Sequence, residues 1–190
     1  MKYIENDSFE KLVYEEVKFE ELSISDSSFY NCSFLEMQLI ESRFHNCEFH
    51  NCIIGNMKFS NSDMLNCQFY NCILIGIDWS DLQEGKLVPF SKLFQCTLRY
   101  NFFIQLKLNS YNFDGCIFEG CSFEQCNLSG ASFKGVDLME TRFLGSDLRK
   151  CDFKDAINYQ IDIKDNIVKD AKFSLPEALN LLGTLGIVIE

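Results

Sequence analysis

The stretch Phe44-His45-Asn46-Cys47-Glu48-Phe49-His50-Asn51-Cys52-Ile53-Ile54-Gly55-Asn56-Met57-Lys58-Phe59 repeats one pattern every five residues. A large apolar residue stands at 44, 49, 54 and 59, a smaller one two places before each, and asparagine recurs at 46, 51 and 56. Outward from this stretch the beat runs back through Leu39, Phe34, Phe29, Ile24, Phe19, Tyr14 and Phe9 to Ile4. It runs forward through Met64, Phe69 and Leu74 to Trp79. After one interruption it resumes in a new frame from Leu93 to Phe153. Sixteen of the 19 Phe fall on the beat once Phe173 is counted, so the pattern is not an accident of composition. A helix repeats every 3.6 residues and a strand every two, and neither puts every fifth side chain on one face. The chain must turn a corner every five residues, which makes it an all-β solenoid.

The slot two places before each large residue holds all 10 Cys, with Ser27, Ser42, Ser62, Ala131, Val136, Thr141, Ser146 and Ala156 among its other occupants. One large and one small inward position per five residues describe a narrow tube filled by its own side chains. Phe49, Phe69, Phe118 and Phe123 are expected in its core beside Cys52, Cys72 and Cys121. Buried reduced cysteine behaves as a small hydrophobe, and this reading is preferred to a disulfide framework. Cys32, Cys52 and Cys72 stand 20 residues apart and should stack one per coil. The thiols point inward, and His45 and His50, the only His, occupy outward slots, so neither a metal site nor any cofactor is expected. Asn46, Asn51, Asn56, Asn61, Asn66 and Asn71 share one corner slot, where asparagine tolerates the turn conformation.

At 190 residues the chain is one domain by length. Met1-Lys2-Tyr3-Ile4-Glu5 runs straight into the repeat without a leader pattern, and no apolar run approaches a membrane span. The expectation is a cytoplasmic protein with no membrane contact. The net charge of −11 argues against direct nucleic-acid binding. Residues 1–41 carry 10 acids against 3 bases, whereas 42–110 carry 5 against 6. No Ser/His/Asp set, glycine-rich phosphate loop or paired carboxylates stand out, and inward positions are apolar, so catalysis is not expected.

Two features depart from the beat. Trp79 and Leu93 are 14 residues apart, and the segment between them contains Gly85 and Pro89. Residues 80–92 therefore read as a loop leaving the tube, between repeat runs 2–81 and 91–173. It is either a tolerated insertion or a partner-binding loop, with Asp81, Glu84, Lys86, Leu87 and Phe90 as the candidate contacts and Leu87, Val88 and Phe90 exposed. After Phe153 the beat decays: Ile163 and Phe173 keep it and Asn158 breaks it. The 1–173 solenoid then gives way to a tail, 174–190. Ser174 with Glu177 forms a capping-box pattern, and Pro176 fits a first helical turn. The apolar residues of this helix exceed what a free surface helix carries. Some should close the tube, and Leu179, Leu182, Leu185 and Ile187 are the candidate contacts of a homodimer.

Cys126-Asn127-Leu128-Ser129-Gly130, Val136-Asp137-Leu138 and Ser146-Asp147-Leu148 match the A-(D/N)-L-x-x consensus, and over residues 2–173 the chain resembles the pentapeptide-repeat family. It differs in using Phe more than Leu in the large slot and Cys more than Ala in the small one. The resemblance implies a right-handed quadrilateral β-helix with four repeats per coil. A short helix followed by Leu185-Gly186-Ile187-Val188-Ile189 further resembles the topoisomerase-protection group of that family, Qnr, MfpA and McbG. That likeness implies a DNA-mimicking dimer joined through its C-terminus. Its partner would be DNA gyrase or topoisomerase IV, protected from quinolones or a peptide toxin. The alternative is an interaction scaffold with another partner.

Overall fold

The computed structural model describes residues 2–82 and 88–187. The chain winds into a parallel β-solenoid of about eight turns, each turn a square of four five-residue sides. Face 1 begins with Lys2–Glu5, face 2 with Ser8–Glu10, face 3 with Val13–Glu15 and face 4 with Lys18–Glu20. Each strand pairs in parallel with the strand 20 residues later: Ile4 with Ile24, Phe9 with Phe29, Tyr14 with Phe34 and Phe19 with Leu39 by way of the same register. Face 3 is the longest sheet, with seven strands from Val13–Glu15 to Asp137–Met139.

A fixed backbone conformation makes the corners. The residue two places after each large one adopts the left-handed region, with φ between 49° and 55° from Asn46 through Asn71. Asparagine accepts this conformation at little cost. Its side chains also form a ladder along the corner: Asn66 Nδ2 donates to Asn46 Oδ1 (3.0 Å), and Asn46 Nδ2 donates to Asp26 Oδ1 (2.9 Å). At Gly120 (φ +61°) the requirement is stricter, since a Cβ would lie 2.7 Å from the Tyr100 ring.

Inside the tube, identical slots stack at the strand spacing. The Phe9, Phe29, Phe49 and Phe69 rings lie parallel with centroids 4.8–4.9 Å apart, and Phe113, Phe133, Phe153 and Phe173 continue the same face at 4.8–5.1 Å. Phe103, Phe123 and Phe143 form a second stack on face 4. Rings of opposite faces meet edge-on across the bore, as Phe133 does with Phe143 at 88°. The small slot carries the polar half of the core. The Cys52 thiol donates to the carbonyls of His50 (3.4 Å) and Phe29 (3.5 Å), and its Sγ accepts the Cys32 N–H. Ser42 and Ser62 do the same with hydroxyls. All 10 Cys are free and buried. Burial pushes four of the thiols up, to about 11 for Cys121 and Cys126 and about 12 for Cys116 and Cys151, whereas a hydrogen bond from a stacked thiol lowers Cys47, Cys52 and Cys96.

Two irregularities interrupt the 20-residue step. Gln68 pairs with Lys92 and Ile73 with Thr97, so the coil containing the insertion takes 24 residues. Near the other end Phe143 pairs with Ile161, a step of 18, and the step returns to 20 at Asp147 and Ile167. Asn158 stands at a left-handed corner (φ 60°), and the buried Tyr159 fills the interior between Phe153 and Phe173. Ile161, at 3% exposed, therefore takes the inward strand position that the simple count assigns to Ile163, which is only half-buried. A buried asparagine sits in the small slot beside each irregularity. Asn101 Nδ2 donates to the Leu74 and Arg99 carbonyls, and its Oδ1 accepts the Trp79 indole N–H at 3.0 Å. Asn166 Nδ2 donates to the Phe143 and Asp162 carbonyls, and its Oδ1 accepts the Ser146 N–H. A thiol has one proton to share between two carbonyls, whereas an amide gives each its own N–H and still has an oxygen to accept.

Candidate interaction surfaces

The structure places Phe49, Phe69, Phe118, Phe123, Cys52, Cys72 and Cys121 in the bore, each 2% exposed or less. An interior filled in this way presents its chemistry outward, on faces, corners and ends.

At the insertion the chain leaves through a 3-10 turn, Trp79–Leu82, and re-enters at the strand Phe90–Phe94. Asp78 starts the turn by accepting the Ser80 N–H at 2.9 Å and the Ser80 hydroxyl at 2.5 Å. Asp81 is exposed, and burial together with the neighbouring Asp78 raises its carboxyl above the ordinary range. Glu84, Lys86 and Leu87 lie outside the described residues. Phe90 is a correction to the sequence reading: it is 1% exposed, pairs with Cys67 and packs edge-on against Trp79 and Tyr111. The four-residue insertion moves Phe90 into a small slot. With Leu106 and Tyr111, also in small slots, it occupies the interior beside the departing chain. Val88 likewise packs against the core. Neither is available as an exposed contact.

The tail forms a 3-10 turn, Glu177–Leu179, and one short helix, α1, Asn180–Gly183. The expected capping box does not form. Ser174 Oγ turns back to the tube, where it accepts the Asp155 N–H (3.1 Å) and bonds the Asp155 carboxylate, and Pro176 stands at the N-cap. The Asp155 corner (φ 59°) leaves a backbone donor that this serine satisfies better than it could serve the turn. Leu181 packs against the core. Leu179 (41%), Leu185 (43%) and Ile187 (48%) stay exposed, and Leu182 is half-buried.

Two outward columns went unread in the sequence because their members are a whole coil apart. On face 2 Tyr30, His50 and Tyr70 stack at 4.7–4.8 Å, followed by Phe94, with the Lys92 ammonium 4.9 Å from the Tyr70 ring. His50 bonds Glu48 at 3.0 Å. On face 3 Val13, Ile53, Ile117 and Ile157 are exposed in one column, with Met139 and Tyr100 beside it. On face 1 the 8%-exposed Asp63 is held by His45 and by Arg43 (3.4 Å), a charge taken out of water only where two partners meet it.

No helix among the described residues is long and apolar enough to cross a membrane. Comparison with curated proteins finds no match. Among solved structures the chain is similar to a trypsin-treated form of QnrB1, a plasmid-mediated fluoroquinolone resistance protein. The two are 19% identical over 96% of this chain and 100% of that one, with a TM-score of 0.42. It is also similar to HetL, a pentapeptide-repeat protein involved in heterocyst differentiation regulation from the cyanobacterium Nostoc sp. strain PCC 7120. There the identity is 13% over 88% of this chain and 87% of that one, with a TM-score of 0.48. Residues 3–85 match the family profile described as a pentapeptide repeat region, and residues 112–155 match that described as pentapeptide repeats in 8 copies. With both runs of the beat matched and the regular coils built from four five-residue sides, the chain belongs to the pentapeptide-repeat family.

Proposed function

We propose that this chain is a non-catalytic, protein-binding rod that engages DNA gyrase or topoisomerase IV in place of duplex DNA and protects the enzyme from quinolones or a peptide toxin. The observation that carries the reading is the shape and polarity of the surface. A straight tube, about 38 Å long at ~4.8 Å per coil, carries 28 carboxylates against 17 basic residues, and 10 of those carboxylates fall in residues 1–41. A basic DNA-binding surface attracts such a rod by the same long-range field that attracts DNA. The exposed Leu179, Leu185 and Ile187 supply an apolar patch through which two rods join end to end. The insertion between Leu82 and Val88 is the candidate for specific contact. In this mechanism the rod competes for the DNA site, and loop contacts destabilise the complex of drug, enzyme and DNA.

The deciding experiment is supercoiling by gyrase, with and without ciprofloxacin, across a titration of the protein. Rescue of the poisoned enzyme, at concentrations that leave unpoisoned gyrase active, supports protection. Inhibition without rescue reduces the function to DNA mimicry, and no effect at large excess rejects the topoisomerase as partner. A second reading, a scaffold for a different protein, is favoured by the exposed apolar column of face 3, since a DNA-like surface has no use for Ile53, Ile117 and Ile157 facing water.

A further inference from the structure

Face 3 turns two columns of side chains outward, one beginning at Val13 and one at Glu15. The first climbs through Ser33, Ile53, Ile73, Thr97, Ile117 and Asp137 to Ile157, each paired in register with the next. Val13 is 71% exposed and Ile53, Ile117 and Ile157 are 39–48% exposed. The order of this column reads alike from both ends. Counted inward, Val13 answers to Ile157, Ser33 to Asp137, Ile53 to Ile117 and Ile73 to Thr97. Apolar stands against apolar, polar against polar and, at the centre, β-branched against β-branched. Such a column is complementary to its own reverse.

We propose that face 3 docks a second copy of this chain, side by side and antiparallel, about a twofold axis that runs along the strands. That operation sets each column against itself reversed. The four isoleucine and valine positions then cover one another, and the Asp137 carboxylate, which accepts the Asn158 amide at 2.8 Å, comes opposite the Ser33 hydroxyl. In the second column Leu35 meets Met139, and Ile75 lies along the stem of Arg99. Glu119 comes over the notch at Gly55, where a Cβ would stand 3.2 Å from Leu35 and 3.3 Å from Ile75. At one corner Lys11, which holds Glu10 at 3.1 Å, comes opposite Asp155. At the other the 52%-exposed Tyr100 comes opposite Gly76, and Glu36 opposite Glu140 is a like pair at the rim, where solvent screens it. A parallel pair would instead set the first column against the second, Val13 on Glu15 and Ile117 on Glu119, and would bury carboxylates against hydrocarbon. The face is about 38 Å long and roughly 10 Å wide at ~4.8 Å per coil and ~3.3 Å per residue. On the order of 400 Å² per copy is small for a permanent dimer and fits a weak, reversible one. Neither the topoisomerase reading nor the C-terminal patch enters this proposal.

The test is sedimentation equilibrium of the full chain from about 10 μM to about 1 mM, the range of weak association. It is run in a Leu182→Asp, Leu185→Asp background, so that contact through the C-terminus does not contribute. The expected result is a mass that rises with concentration from one copy towards two. Ile53→Lys and Ile117→Glu, each made singly at an exposed position, should leave the circular dichroism unchanged. Each should weaken the pairing by at least about tenfold, since it sets an unpaired charge against hydrocarbon twice per pair. The two together should restore it, because in the antiparallel register each new ammonium meets a new carboxylate. A single copy at about 1 mM overturns the proposal and leaves face 3 to a different protein. Pairing indifferent to Ile53→Lys overturns it by placing the contact elsewhere. Single variants that weaken the pairing without rescue by the double overturn the antiparallel register.

Discussion

Raising the pH should destabilise this protein, because burial in the small slots of the later coils holds four thiols well above their ordinary range. Cys116 and Cys151 are held up to about 12 and Cys121 and Cys126 to about 11, with burial the largest cause for each. An unfolded thiol ionises near pH 8.5. A folded pKa above the unfolded one gives stability that is complete below the unfolded value and is lost as pH rises beyond it. At about pH 9.5 each such thiol costs roughly 1.4 kcal/mol relative to neutral pH, and the four together about 6 kcal/mol. That loss is comparable to the whole stability of an ordinary domain. Urea unfolding midpoints between pH 7 and 10, for the parent and for a variant with these four cysteines replaced by alanine, measure the effect. The parent should lose most of its midpoint between about pH 8.5 and 9.5, and the variant, less stable at neutral pH, should lose clearly less of its own across the window. A parent midpoint flat to pH 10 would refute the reasoning. So would prompt reaction of these thiols with a disulfide reagent in the folded protein at neutral pH.

Phe123→Ala removes a ring stacked on both Phe103 and Phe143, and should cost about 3–5 kcal/mol by chemical denaturation, with Phe49→Ala and Phe118→Ala alike. Melting like the parent would place those rings outside the core. Asn101→Leu keeps the volume but strips the Trp79 indole and the Leu74 carbonyl of their partner. It should cost about 2–4 kcal/mol and redshift the Trp79 fluorescence, and a neutral result would remove the amide as the brace of the insertion. Leu182→Asp with Leu185→Asp should give monomers by light scattering, and persistent dimers would exclude this end as the interface.

The inward half of the structure was legible because a period of five has only one simple solution. Phe49 and Cys52 could be placed without knowing the number of sides per coil. The outward half needed that number. Tyr30, His50 and Tyr70 look unrelated in sequence until the 20-residue step stacks them, and the same holds for Ile53, Ile117 and Ile157 among polar neighbours. Phe90 was misplaced because local polarity around Gly85 and Pro89 suggested a loop running to Lys92. The chain instead regains its frame two residues earlier, and the cost of leaving the interior beside Trp79 empty draws the ring inward. Asn101 and Asn166 were the available signals for both irregularities. Each is the amide of a slot held mostly by Cys, Ser and small apolar residues, and each stands beside a coil whose step departs from 20. Ser174 shows the limit of a local motif: the capping pattern is present, but a left-handed corner at Asp155 competes for the same hydroxyl.

The two ends of the rod settle their exposed edges by opposite means, and this bears on how it can engage a partner. A coil at the end of a solenoid presents four strand edges, which invite stacking by another copy. At the C-terminus Leu181 packs against the core and α1 lies beside the strand Gln160–Ile161, with Leu179, Leu185 and Ile187 left exposed. At the N-terminus nothing among the described residues covers Lys2–Glu5, Ser8–Glu10, Val13–Glu15 and Lys18–Glu20, and a glutamate stands at the end of each. If two copies join through the C-terminus as proposed, the glutamates of the first coil disfavour further stacking through that edge, and the end-to-end assembly is a pair. That pair would be a rod of roughly 75 Å at ~4.8 Å per coil, with its strongest charge at both tips, since residues 1–41 hold 10 acids against 3 bases while 42–110 hold 5 against 6. Duplex DNA spreads its charge evenly. A partner that recognises this rod by charge is therefore held first at the tips, and the less charged middle, with its insertion and its apolar face 3, is left to supply shape and specificity.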